Sequence, residues 1–398
     1  MHETYDQELL QCTDRHYDSA RIGIVGGGQL ARMTALAALP LGCEVRILEK
    51  NPLSPAAQLT PLAVTGDWSD ADTLRSFAEQ VDVVTLENEF VDAGALRRLE
   101  AAGHRVFPSA ACIAVTQDKL LQKEALVRAG LPVPRFCAVI SPEQIVEAGD
   151  RMGWPLMLKA RRNGYDGKGN FTLHSPSQVQ KAWQALHGDE QALMVEDFCH
   201  YSKELAVIVT RGRDGQTVTY PVVETLQQQH VCHLVHAPAL IPQELAAHAT
   251  QLAVRAVEAV GGVGSFGVEL FLSEAGEIAI NELAPRVHNS GHYSIEACVC
   301  SQFENHLRAV LGWPLGSTRM VAPSAVMLNI LGAGRGHGRP HGLSDALSVQ
   351  GAHVHLYGKA MCGVGRKMGH ITALGQNAQE ALSTARQAAR AIHFENHS

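Results

Sequence analysis

Apolar positions along the chain change their spacing twice. The first regime opens on the β-branched run Ile22, Ile24 and Val25, followed by Gly26, Gly27 and Gly28 and then by a helix-spaced stretch over 30–39 that stops before Pro40. Strand-like runs at 44–48, 63–65, 81–86 and 104–107 alternate with helix-like segments at 70–79 and 93–102, the mark of a parallel, doubly wound α/β unit. An amphipathic helix over 117–129 follows. The punctuation Gly130-Leu131-Pro132-Val133-Pro134 then sets a boundary.

From Arg135 the pattern becomes α+β. Strands are expected at 156–159, 193–196, 204–210, 217–223, 267–272 and 277–281, with helices near 177–186 and 243–260. The last segment holds a strand at 324–330, a Gly/His/Arg loop at 332–342, strands near His353 and Ile371, and a helix over 379–392. Residues 1–20 show no apolar period and read as an N-terminal extension. The expected division is therefore 1–20, a Rossmann-like domain at 21–130, a larger α+β domain at 131–318 and a small C-terminal domain at 319–398.

Composition narrows the function classes. With 398 residues, 46% hydrophobic and 18% charged, the chain can bury cores for two or three domains. A formal net charge of -7 supplies no basic field for a nucleic-acid backbone. No run approaches the roughly 20 apolar residues of a membrane span, and the expected location is the cytosol. Nine cysteines, an odd number scattered singly from Cys12 to Cys362, fit buried thiols of a reducing compartment. Only Cys298 and Cys300 lie close together, and no second ligand pair accompanies them, so they read as core.

The first motif is a strand, the turn Gly26 to Ala31 in G-x-G-x-x-A form, a helix, and an acid, Glu49, closing the next strand. That satisfies a dinucleotide fingerprint and suggests a dehydrogenase. The same glycines also serve any turn that sets backbone amides at a helix N-terminus. This motif alone leaves both readings open.

Further along, Lys159 ends a strand and precedes Asn163-Gly164-Tyr165-Asp166-Gly167-Lys168-Gly169, a loop able to fold over phosphates beside a fixed positive charge. Glu269 and Asn281-Glu282 lie on two strands joined by the turn Glu274-Ala275-Gly276. Two carboxylates and an amide oxygen are hard ligands that suit magnesium shared with nucleotide phosphates. The run Asn281 to His292 is dense in polar groups: Arg286 can clamp a phosphoryl group, His288 and Asn289 can bond a carbonate or phosphate oxygen, and Ser290 with Gly291 can present amides. His288 and His292 have zinc-helix spacing, but Asn-Ser-Gly between them is poor helix.

Taken together, Gly27-Gly28-Gln29-Leu30, the 164–169 loop, the run Asn281 to His292, and Gly365-Arg366-Lys367-Met368-Gly369-His370 resemble the 5-(carboxyamino)imidazole ribonucleotide synthetases, from about Arg21 to His370. The resemblance implies an ATP-grasp fold with a Rossmann-like pre-ATP-grasp domain and a small C-terminal domain, usually as a homodimer. It implies ATP- and bicarbonate-dependent carboxylation of the amine of aminoimidazole ribonucleotide in purine biosynthesis, through carboxyphosphate. By position, ATP would meet Lys119, Lys159, the loop Gly164, Tyr165, Asp166, Gly167, Lys168 and Gly169, the strand Glu196, Asp197, Phe198 and Cys199, then Glu204, Gln227, Asn281 and Glu282. Magnesium would meet Glu269 and Glu282, and the acceptor Gln29, Tyr165, Arg286, His288, Asn289, Ser290, Lys359 and Arg366, with Asp166, Arg286 and His288 nearest the chemistry. Thr225 and Gln227 stand where the family usually has Asn and His, and the acidic stretch Glu87-Asn88-Glu89-Phe90 has its aromatic displaced.

Overall fold

The computed structural model describes residues 19–164, 169–228 and 231–394. The expected N-terminal extension therefore lies almost wholly outside the described residues.

The first unit is a parallel sheet in the spatial order Ala63–Thr65, Glu44–Glu49, Arg21–Val25, Val83–Leu86, Val106–Phe107. Its central strands Arg21–Val25 and Val83–Leu86 are buried on both faces, which is why they read as continuous apolar runs. A tertiary contact decides the outer packing. Leu307 and Val310, from the helix Gln302–Leu311 far along the chain, join Ile22, Ile24, Ala31, Ala35 and Ile47 in one core. Full burial of each such side chain contributes about 1.5–3 kcal/mol, enough to fix the first unit against the rest.

The helix expected over 117–129 is present as Lys119–Arg128, and a further helix that the sequence had not indicated, Ala110–Thr116, precedes it. Ala110–Thr116 ends, and Lys119–Arg128 restarts under a fresh cap in which Asp118 Oδ1 accepts from the amides of Leu120 (3.0 Å) and Leu121 (3.4 Å). The restart puts Lys119 at a helix N-terminus and gives it a new direction.

Beyond it, a four-stranded sheet in the order Phe136–Val139, Leu193–Asp197, Leu156–Ala160, Asn170–Leu173 makes one lobe, and a nine-stranded antiparallel sheet makes the other. Strands Phe136–Val139 and Val231–Ala237 and helices Pro142–Met152 and Gln302–Leu311 add to the sequence expectation. The single strand expected over 217–223 is divided into Thr217–Thr219 and Val223–Gln228, with Pro221, which has no N–H to give a ladder, between them.

The large sheet does not stop where the expected third domain begins. Strand Val231–Ala237 pairs with Ser324–Leu331, which pairs with Lys367–Gly375 and onward to Ala352–Leu356, so the C-terminal segment continues the sheet of the central block. It closes its own core with the helix Ala378–Ala391. Met33, Val287, Phe303 and Tyr357 pack together, bringing the first unit, the central block and the C-terminal segment to one place. The polar run 281–292 passes through that junction.

Candidate active site

The turn Gly26 to Leu30 is occupied by the protein's own carboxylates. Glu49 Oε2 accepts from the Gly27 amide at 2.8 Å, and Glu87 accepts from Gly28 at 2.6 Å and from Leu30 at 3.2 Å. A Cβ at Gly28 would lie 2.2 Å from Glu87 Oε1, so glycine here permits a carboxylate to close on the helix N-terminus. The pyrophosphate position of the dehydrogenase reading is thereby filled. Burial pushes the Glu87 carboxyl above its ordinary value, with the amides of Gly28, Ala31 and Leu30 opposing.

Across the cleft, lysines and carboxylates interlock. Lys119 pairs with Glu282, Lys159 with Glu196, and Lys159 Nζ also lies 3.5 Å from Asn281 Oδ1. The hairpin Gly264–Leu272 to Ile278–Ala284 sets Glu269 directly opposite Glu282, next to a break in register between Glu269 and Leu270. Burial raises the Glu269 carboxyl and the neighbouring Glu282 charge raises it further. Glu282 goes the other way, because Lys119 and Lys159 outweigh its own burial. Two carboxylates pressed together in this manner are a hard-oxygen donor pair short of positive charge, which fits a divalent cation whose other ligands are phosphate and water. No group of three or more His, Cys, Asp or Glu able to hold a metal ion occurs among the described residues.

On the acceptor side, His288 approaches this pair. Its Nε2 lies 3.4 Å from Glu269 Oε1, while Nδ1 faces the Ser290 hydroxyl at 2.9 Å and amide at 3.4 Å. Burial, with Arg286 and Lys367 nearby, holds the imidazole down at about 3, so it is neutral. With Nδ1 accepting from the Ser290 amide, Nε2 carries the proton and points it at Glu269. Arg286 forks onto Glu89 at 2.7 and 3.2 Å, tying the run to the first unit. Lys359 Nζ donates to Gln29 Oε1 at 2.7 Å and to the Lys367 carbonyl at 2.6 Å, bringing the C-terminal segment to the same turn.

Comparison with known proteins follows this layout. Residues 19–117 match the ribonucleotide synthetase preATP-grasp domain, 124–303 the ATP-grasp domain, and 325–384 the phosphoribosylaminoimidazole carboxylase C-terminal domain. The N5-carboxyaminoimidazole ribonucleotide synthase of Synechococcus elongatus is 43% identical over 352 residues, 88% of this chain and 88% of that protein. This chain belongs to the N5-carboxyaminoimidazole ribonucleotide synthase family. It is also 43% identical, over 90% of its length, to the phosphoribosylaminoimidazole carboxylase of Ogataea methanolica, of which it spans 67%. A solved N5-carboxyaminoimidazole synthase from Aspergillus clavatus, in complex with ADP and 5-aminoimidazole ribonucleotide, superposes with a TM-score of 0.86 at 37% identity, covering 94% of this chain and 98% of that one. The fold is that of an ATP-grasp protein, with a preATP-grasp unit before it and the carboxylase-type C-terminal unit after it.

Several residues expected from the family resemblance have side chains engaged elsewhere. Asn289 is buried and exchanges two amide hydrogen bonds with Asn329, at 3.0 and 2.7 Å, so its side chain underpins the site instead of reaching an acceptor. Asp197 turns to Arg135 at 2.8 and 3.0 Å, which leaves only its backbone to a nucleotide. Phe198 is edge-on to His200, and Cys199 follows in the same segment. Glu204 accepts from Tyr201 at 2.6 Å, and Gln227 is exposed beside a bulge. Gly164 and Gly169 flank the hairpin loop that joins the paired strands Leu156–Ala160 and Asn170–Leu173. Tyr165, Asp166, Gly167 and Lys168 lie outside the described residues. Arg366 is exposed and donates to the Met361 carbonyl at 2.9 Å.

Sequence reasoning missed Glu89, Gln122, Asp118 and Lys123. Gln122 holds the strand of Glu282 by bonding both the amide (2.7 Å) and the carbonyl (2.9 Å) of Leu283, and Asp118 receives Arg161 at 2.7 and 3.0 Å. What marks the last three is burial, which only the fold shows: Gln122 and Lys123 are both 2% exposed, and Asp118, which caps their helix, is 3% exposed.

Proposed function

We propose that the chain uses ATP and bicarbonate to carboxylate the amine of 5-aminoimidazole ribonucleotide, giving 5-(carboxyamino)imidazole ribonucleotide, ADP and phosphate. The observation that carries this reading is the position of His288. Its neutral imidazole lies 3.4 Å from Glu269, in the carboxylate pair suited to metal-held phosphate, and faces Ser290 on its other side, within the polar run that also carries Arg286 and is suited to a ribonucleotide.

In this mechanism Lys119 and Lys159 hold ATP phosphates, and the 164–169 loop covers them. Glu196 to Cys199, Glu204 and Gln227 take the nucleoside. Glu269 and Glu282 would hold magnesium, which supplies positive charge for the phosphoryl oxygens when bound. A bicarbonate oxygen attacks the γ-phosphorus, the bond to the bridging oxygen breaks, and ADP leaves with carboxyphosphate formed. The acceptor amine then attacks the carboxyl carbon, and the C–O bond to phosphate breaks. Asp166 receives or orients the amine proton. Neutral His288 donates through Nε2, and Arg286 with Ser290 steadies the phosphate as it departs. Water must be kept out because carboxyphosphate hydrolyses, a role for the loop over the site.

The same reading includes a cytosolic homodimer. Cysteines from Cys43 to Cys362 are free thiols, as a reducing compartment favours, and no described helix is long and apolar enough to cross a membrane.

Phosphate release from ATP is expected to require magnesium and to rise on adding 5-aminoimidazole ribonucleotide with bicarbonate. Stimulation by glycinamide ribonucleotide and formate alone would sink the assignment. On the acceptor side, Arg366→Ala is expected to raise the KM for aminoimidazole ribonucleotide by roughly tenfold or more, as befits a lost charge-assisted hydrogen bond of about 1.5–3 kcal/mol, and to leave the KM for ATP near wild type. Steady-state kinetics with each substrate varied in turn decides this, and parallel losses would assign Arg366 to folding or an interface.

A further inference from the structure

Behind the two phosphate-side lysines lies a third that the mechanism above does not use. Lys123 follows Lys119 by one helical turn, on the same face of the helix Lys119–Arg128. It is 2% exposed, as is Glu196, and Lys159 is 6% exposed. The single carboxylate of Glu196 is divided between the two lysines: Oε1 pairs with Lys159, and Oε2 lies 3.0 Å from Lys123 Nζ. Lys123 also donates to the Asn281 carbonyl at 3.1 Å, on the strand that carries Glu282.

We infer that Lys123 is a positioning residue for phosphoryl transfer: it remains as the fixed counter-ion of Glu196, so that Lys159 is released to the ATP phosphates. This rests on the ATP-dependent reading of the site. The physical reason is the asymmetry of buried ion pairs. Were Lys159 the only partner of Glu196, moving its ammonium to a phosphate would strand an enclosed carboxylate without a cation, and that penalty would hold Lys159 back. With Lys123 present, one cation stays when the other departs.

Of the two, Lys123 is the one built to stay. It has a backbone anchor at Asn281 and is sealed on the inner side of the helix, whereas the second contact of Lys159 is a 3.5 Å approach to a side-chain amide. Burial works against the Glu196 charge, and the two lysines outweigh it. Lys123 itself is lowered by burial, with Lys159 adding to that and Glu196 opposing it, as expected of two cations sharing one carboxylate. Through Asn281 the same ammonium links the nucleotide-side strand Leu193–Asp197 to the hairpin strand Ile278–Ala284.

A double-mutant cycle tests the inference, with ATP affinity measured by calorimetry and kcat and KM measured for each substrate. Lys123→Met is expected to weaken ATP binding and to lower kcat/KM for ATP tenfold or more, with the KM for aminoimidazole ribonucleotide unchanged. Lys123→Arg should stay within about threefold of wild type, because it keeps the charge. In a Glu196→Gln background, where no carboxylate needs a counter-ion, Lys123→Met should cost less than threefold. Equal losses in both backgrounds, or a loss under threefold in the wild-type background, would overturn it. If Lys123→Met alone does not fold, comparing Glu196→Gln with the double variant still decides, since a further tenfold loss there contradicts the counter-ion role. Calorimetry reads ATP binding without the acceptor, so a wrong acceptor assignment would show separately, as wild-type phosphate release indifferent to aminoimidazole ribonucleotide.

Discussion

Glu282→Gln is expected to lower kcat by about a hundredfold or more at saturating ATP while the protein remains folded, the scale of loss seen when charge stabilisation of a transferring group is removed. The fold survives for a reason specific to this site. Glu282 neutralises Lys119, but with their side chains 36% and 18% exposed the pair is partly screened by water, so losing it costs less than the roughly 3–5 kcal/mol of a fully buried pair. Here Glu269 stands opposite on the neighbouring strand, its carboxyl raised by burial and by the Glu282 charge. Once that charge is gone, Glu269 ionises more readily and supplies the missing negative charge near Lys119. A thermal midpoint close to wild type together with the kinetic loss is the expected pair of results. An unchanged rate at saturating magnesium would return Glu282 to a purely structural role.

The second large effect is on stability against acid. His292, His306 and His370 are enclosed at 0%, 2% and 0% exposure, and each is held below its ordinary value by burial. Geometry explains why each stays neutral. His306 Nδ1 accepts from the Ser265 amide at 3.1 Å and its other nitrogen meets the Thr85 hydroxyl at 2.8 Å, so a second ring proton would face an N–H. His292 and His370 lie 5.0 Å apart, and the outer nitrogen of each has no hydrogen-bond partner. His355 stacks on His370 at 4.4 Å and holds Glu296 at 2.6 Å. In the unfolded chain the three imidazoles protonate near pH 6.5, whereas in the folded chain they do so only at lower pH. Unfolding therefore takes up protons below pH 6.5, and stability present above that value is lost as the pH falls.

Each histidine contributes up to about 1.4 kcal/mol per pH unit. Glu269 and Glu87 oppose them, since their raised carboxyls keep protons in the folded state that the unfolded chain releases above their ordinary value, while buried, neutral His288 adds to the three histidines. The net expectation is a fall of roughly 2–3 kcal/mol per unit between pH 6.5 and 5.5. Urea midpoints at pH 7.5, 6.5 and 5.5 measure it. A flat profile would show that these rings are protonated in place, and His370→Gln should remove about one proton from the slope.

Much of this protein follows from its sequence alone. The alternation of apolar runs with helix-spaced stretches determined the parallel first unit, because a strand buried on both faces tolerates no other pattern. Acids at 269 and 282 with apolar neighbours on strands joined by a tight turn determined the carboxylate pair, since a hairpin of that length brings only certain positions opposite each other. Lys159 was legible as a charge at the end of a strand, whereas Lys119 came only with the family resemblance. What periodicity records is which face of an element is buried, not what it is buried against.

The tertiary structure alone decided the partners. Arg286 and Glu89 are 197 residues apart, Lys123 and Asn281 are 158, and Lys359 and Gln29 are 330. Nothing local distinguishes such a charge from a solvated one. The turn at Gly28 shows the consequence most clearly: its glycines fit a dinucleotide, and only the arrival of Glu87 from the neighbouring parallel strand settles that a carboxylate sits on those amides. Asn289 shows it in reverse, a polar residue in the densest motif whose amide is spent on Asn329. Sequence sets the inventory of charges and the faces that must be hidden. Packing three segments around Met33, Val287, Phe303 and Tyr357 chooses which charges meet, because enclosed ions are stable only in pairs, and only the closed core fixes the distances at which pairs form.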